Sequence, residues 1–116
     1  MAFYVSPLPI PSVGSGTENV TAYAGGGQAG ATQFVSRFNH VATCATNGDS
    51  VKLPPYASPV TVWVSNDGAS SLAVFPYGVD RIGSALPSTS YSIAPGKAAQ
   101  FVATGTFGKW LPVHSA

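Results

Sequence analysis

Charged residues are scarce in this 116-residue chain: five Lys or Arg and four Asp or Glu make up 8% of it, where soluble domains usually carry roughly 25%. A net charge of +1 gives no electrostatic basis for binding nucleic acid, an anionic membrane or an acidic substrate. A surface so poor in charge is either covered by Ser, Thr, Asn and Gly or buried in an assembly, and assembly is the better account. Cys44 stands alone, so no intrachain disulfide staples the fold. No run approaches the roughly 20 apolar residues of a membrane span. The opening MAFYVSPLPIPSVG has neither the basic start nor the continuous apolar core of a secretory signal. The expectation is a protein made and kept in a cytoplasm, or leaving it only inside a larger particle.

A sustained 3.6-residue apolar period is also missing. Thirteen glycines and ten prolines punctuate short β-prone runs instead, which is the pattern of an all-β chain with many turns. The length suits one domain. Its organising stretch is residues 51–82, with apolar runs at Val60–Val64 and Leu72–Phe75. Asn66-Asp67-Gly68 between them is a turn signal, since glycine reaches positive φ without steric cost. The pair reads as a β-hairpin. Along the first strand Val60, Val62 and Val64 share one face and Thr61, Trp63 and Ser65 the other, so both faces carry apolar groups, as in a central strand or one half-covered by a partner.

Residues 1–30 read differently. Pro7, Pro9 and Pro11 fix φ at alternate residues and favour an extended course, while Gly25, Gly26 and Gly27 form a joint. Phe3, Tyr4, Val5, Leu8 and Ile10 are more apolar than a free linker needs. The segment reads as an extended arm that docks on another surface, with an edge strand of its own domain as the alternative. From Ala31 the strand signals follow: residues 33–44, 50–53, the central pair, a short edge segment after the loop 77–83, then 91–93, 100–103 and 109–113. About eight short strands predict a small antiparallel β-sandwich or jelly roll over residues 31–116, with no internal repeat of fixed period.

Chemistry is hard to find. His40 and Cys44, four apart, would share a strand face, but lack further ligands at metal spacing; a packed or surface histidine and a small buried thiol explain them better. Asp49, Asp67 and Asp80 sit in turns, where Asp bonds nearby backbone, rather than around a calcium ion. There is no nucleophile elbow, and Gly25–Gly30 lacks the Lys-Ser/Thr that would hold phosphate. Trp63, Phe75, Tyr77, Tyr91 and Trp110 could form a sugar-stacking platform, though core and subunit packing account for them more simply. The reading is of a protein that is not an enzyme, with no cofactor, metal or small-molecule substrate.

From Asn47 onward the order N-G-D-S-V-K-L-P-P, V-T-V-W-V-S-N-D-G-A-S-S-L-A-V-F-P-Y-G-V-D-R-I-G, I-A-P-G-K-A-A-Q-F-V-A and G-K-W resembles the small jelly-roll cement, or decoration, proteins of tailed bacteriophages. The resemblance covers roughly residues 35–111 and rests on a strand pattern rather than a catalytic signature. It implies a structural virion protein on the capsid surface that bridges subunits of the major capsid protein, made in the host bacterial cytoplasm. It also implies a homo-oligomer, commonly a trimer and sometimes a dimer. The shell-binding residues would be Phe3, Tyr4, Val5, Leu8 and Ile10 of the arm, with Tyr77 and Arg81 of an exposed loop. The same pattern suits a tail-fibre or head-fibre module that binds a host receptor or glycan, with recognition by loops 66–71 and 77–81.

Overall fold

The computed structural model describes residues 16–57 and 60–115. They form an all-β structure of ten strands and no helix: β1 (Gly16–Thr21), β2 (Thr32–Gln33), β3 (Phe38–Thr43), β4 (Ser50–Lys52), β5 (Thr61–Asn66), β6 (Leu72–Phe75), β7 (Arg81–Ile82), β8 (Tyr91–Ile93), β9 (Ala98–Ala103) and β10 (Lys109–His114). A six-stranded sheet has the order β1-β3-β5-β9-β10-β7, and a four-stranded sheet the order β2-β4-β6-β8.

From β1 to β9 the chain changes sheet at every connection. From β1 to β6 each strand that leaves a sheet and returns after one pass through the other comes back in its original direction; after β6 this regularity ends. Accordingly β1–β3, β3–β5, β2–β4 and β4–β6 all pair parallel, as do β7 and β10. The pairs β5–β9, β9–β10 and β6–β8 are antiparallel. Both sheets are therefore mixed, which corrects the expected antiparallel arrangement. Strand signals report apolar alternation and turns, and neither names a strand's partner.

The same crossing overturns the central hairpin. β5 lies between β3 and β9, whereas β6 lies between β4 and β8 in the other sheet. Residues 67–71 turn a corner between sheets, pinned by the fully buried Asn66. Its amide nitrogen donates to the Ser70 and Ile93 carbonyls, both at 2.9 Å, and its Oδ1 accepts the Gly68 N–H at 3.0 Å. Successive corners stack: the amides of Asp67, Ser70 and Gly48 bond the carbonyls of Val41, Cys44 and Ser71. The Asn-Asp-Gly stretch does turn the chain, but Gly68 does not take the positive φ expected of it; glycine is needed there because the backbone passes close to Cys44. The last hairpin, β9 to β10, does form, with Trp110 opposite Ala103.

Inward residues of both sheets make one core. Val41, Val62, Val64, Phe101 and Trp110 come from the larger sheet, and Val51, Leu72, Val74 and Ile93 from the smaller. Val62 and Val64 point in and Trp63 points out, as strand alternation requires, but Trp63 is 39% exposed rather than covered within the chain.

The described part of segment 1–30 belongs to this body. Among the described residues β1 is an edge strand, Val20 and Ala22 are buried in the core, and the glycine run is a turn tied to β4, in which Ser50 Oγ donates to the Gly27 carbonyl at 2.8 Å. Gly26 and Gly27 hold φ of 67° and 80° there, values glycine accepts freely. The boundary expected at residue 30 thus falls inside packed structure. Phe3, Tyr4, Val5, Leu8 and Ile10, the arm's expected anchors, lie outside the described residues.

Candidate binding surfaces

The outer face of the six-stranded sheet is built by alternation and register. Phe38 of β3 stands beside Trp63 of β5, which stands beside Gln100 of β9, which stands beside Val113 of β10. Phe38, Trp63 and Gln100 each adjoin a buried residue, and Val113 shares the face of Leu111, the neighbour of buried Trp110, so all four side chains project outward. Phe38 and Trp63 are stacked, with ring centroids 5.9 Å apart and planes within 7°; both are partly exposed, as are Leu111 and Val113. Two adjoining hollows flank Trp63. One, of about 330 Å³, is walled by Phe38, His40, Ser65 and Glu18. The other, of about 240 Å³, is walled by Gln100, Val113, His114 and Ser115. Trp63 and Ala98 line both.

At the rim of the first hollow His40 lies between two carboxylates. Its Nε2 is 2.7 Å from Asp67 Oδ2 and its Nδ1 is 3.0 Å from Glu18 Oε1. The hydrogen bond to Asp67 raises the imidazole above its ordinary 6.5; desolvation opposes this, and the Glu18 charge adds to it. The contacts use ring nitrogens on opposite sides of the imidazole, so these three groups cannot converge on one ion. Among the described residues no cluster of three His, Cys, Asp or Glu could hold a metal.

A second surface forms where β7 and β10 begin. They pair in parallel, Arg81 beside Lys109 and Ile82 beside Trp110, so the loops preceding them emerge at the same end. Those loops carry Val79, 80% exposed, and Phe107, 85% exposed. Phe107 meets the Tyr56 ring edge-on at 5.3 Å. Tyr77 lies beneath Lys52 Nζ, 5.5 Å from its ring centre. Ser88 folds the following loop back by donating from its amide to the Asp80 carbonyl and from Oγ to the Gly78 carbonyl, and exposed Leu86 rides on that loop. Burial pushes the Asp80 carboxyl up, partly offset by the Tyr56 N–H it accepts at 3.3 Å.

Of the expected contact residues, Tyr77 and Arg81 are exposed at this end, with Arg81 alternating against buried Ile82. His40 and Cys44 do not share a face. β3 ends at Thr43, and Cys44 turns into the core, where its thiol donates to the Ser71 carbonyl at 3.5 Å. Burial, with Asp49 nearby, raises that thiol. Asp49 accepts the Thr46 N–H at 3.1 Å, as a turn aspartate should, but Asp67 bonds His40 instead. Of the five aromatics weighed as a platform, Trp63 and Tyr77 are exposed and lie on different surfaces. Val79 falls in the loop 77–81 expected to take part in recognition, whereas Phe38, Glu18 and Phe107 escaped sequence reasoning; a glycine-flanked apolar residue in a loop was the one signal for Phe107.

Comparison with protein-family models, with curated proteins and with solved structures finds no match.

Proposed function

We propose that this chain is a structural virion protein of a tailed bacteriophage, a cement protein that binds the outer capsid surface and bridges major capsid protein subunits. In this reading the two sheets are the layers of a jelly-roll-like sandwich and the protein acts as a homo-oligomer, a trimer first. One observation carries it: the loop end with Val79 and Phe107 almost fully exposed beside Tyr77 and Leu86. Apolar side chains that protrude from loops are costly in water and rewarded by burial in a partner. A surface poor in charge suits that use, and repeated weak contacts over a shell add through multivalency.

Capsids lacking the protein, mixed with it and sedimented, should carry it down. Val79→Asp with Phe107→Asp should abolish co-sedimentation while leaving the melting temperature within a few degrees. Undiminished binding by that variant would overturn the assignment of this surface. A fibre module that binds a host receptor or glycan is the second reading, favoured by the stacked, exposed Phe38–Trp63 pair.

A further inference from the structure

We propose that the outer face of the six-stranded sheet around Trp63 is a carbohydrate site for a neutral oligosaccharide of at least two pyranose units. The inference deepens the glycan-binding reading and is independent of capsid attachment, since the loop end and the sheet face use different residues.

Three features converge on this chemistry. Trp63 is the shared wall of two adjoining hollows, so a chain of sugars crossing it places one unit in each, with the unit in the hollow that Phe38 does not line laid against the open face of the indole. The small Ala98, opposite Ser65 in the ladder, keeps the floor open beside the ring. Phe38 stacked on the other side fixes the indole, so little rotamer freedom is left to lose on binding. Together the hollows reach the lower part of the roughly 300–1,000 Å³ range of small-molecule sites.

The polar complement favours hydroxyls. Glu18, His40 and Ser65 border one hollow, and Gln100, His114 and Ser115 the other, a mix of donors and acceptors spaced along the path. Glu18 approaches His40 through one oxygen, which leaves its second oxygen for a sugar hydroxyl. Neither hollow has a Lys or Arg in its lining, and His40 is already engaged by Glu18 and Asp67, so a sialylated or phosphorylated glycan would meet the Glu18 carboxylate without a free cation to offset it. An apolar peptide would bury these groups unpaired.

The test is titration of the full chain with hexasaccharides from α- and β-glucans, galactan, mannan and chitin, and with polysialic acid as the anionic control. Binding is followed by calorimetry and tryptophan emission. Trp110 is fully buried, so a change in emission reports Trp63. At least one neutral hexasaccharide should bind at millimolar concentration or below, and its monosaccharide about tenfold or more weaker. Trp63→Ala should remove binding, and Glu18→Gln or Gln100→Ala should weaken it several-fold, each in a chain that stays folded and melts within several degrees of the unmodified protein. Val79→Asp with Phe107→Asp should bind sugar normally. Absence of binding to every neutral sugar, preference for polysialic acid, or binding that survives Trp63→Ala would each overturn the proposal; capsid co-sedimentation would be unaffected by any of these results.

Discussion

Gly68 abuts Cys44 across two stacked corners: a Cβ on Gly68 would stand 2.6 Å from the Cys44 Cβ and closer still to its backbone nitrogen. Neither backbone can yield without breaking the Ser70-to-Cys44 bond at 3.0 Å. Gly68→Ala should therefore cost about 3 kcal/mol through overpacking alone. Denaturant unfolding measures it, and a cost below about 1 kcal/mol would show that the corner relaxes.

The two tryptophans should respond oppositely to truncation. Trp110 is fully buried and meets the Tyr56 ring edge-on at 5.7 Å, so Trp110→Ala should cost about 3–5 kcal/mol. Trp63 lies on the outer face, and Trp63→Ala should cost only about 1 kcal/mol, mostly its contact with Phe38. A double-mutant cycle with Phe38→Ala isolates that contact. Equal costs for the two tryptophans would contradict the placement of Trp63.

The Glu18–His40–Asp67 cluster ties edge strand β1 and the corner after β5 to β3. Because the folded midpoint of His40 is raised, its stabilisation is complete below 6.5 and fades as pH rises through that higher midpoint. Histidine resonances followed by NMR should place the His40 midpoint above 6.5, and Asp67→Asn should lower it. A midpoint at or below 6.5 in the unmodified protein would show that the carboxylates do not hold the imidazole in solution.

Truncation separates the arm from the fold. Removing residues 1–15 keeps every described strand, so melting should be nearly unchanged while capsid binding falls if Phe3, Tyr4, Val5, Leu8 and Ile10 anchor it. Removing residues 1–24 also takes β1 and the buried Val20 and Ala22, and should lower the melting temperature by several degrees. Equal stability of the two truncated chains would show that β1 contributes nothing to the core.

Alternation at Val62, Trp63 and Val64 was legible, because period two is a property of one strand. So were the turns at Asn47-Gly48 and Asp67-Gly68, and the β9–β10 hairpin with its short connection. Which sheet each strand joins was not legible: Leu72–Phe75 carries the same apolar run whether it folds back on β5 or crosses to β4. The binding surfaces were hidden for a similar reason. Phe38 and Trp63 are 25 residues apart and become neighbours only through parallel register, and Glu18 meets His40 only because β1 returns beside β3.

A stack of parallel turns has no built-in length, because its outermost strand offers the next chain the template it received itself. Here that template is spoiled. The β1 ladder slips twice, between Thr17 and Val20 and between Val20 and Thr21, and Asn19 sits there at φ 58°. Neighbouring β2 has two residues, and on the far side β7 has two and β8 three. Broken or very short borders give an incoming strand few bonds to make. Among the described residues these borders disfavour edge-to-edge growth into a fibre, so any homo-oligomer of the kind proposed would have to use faces and loops, where contact can close on itself into a ring of finite size.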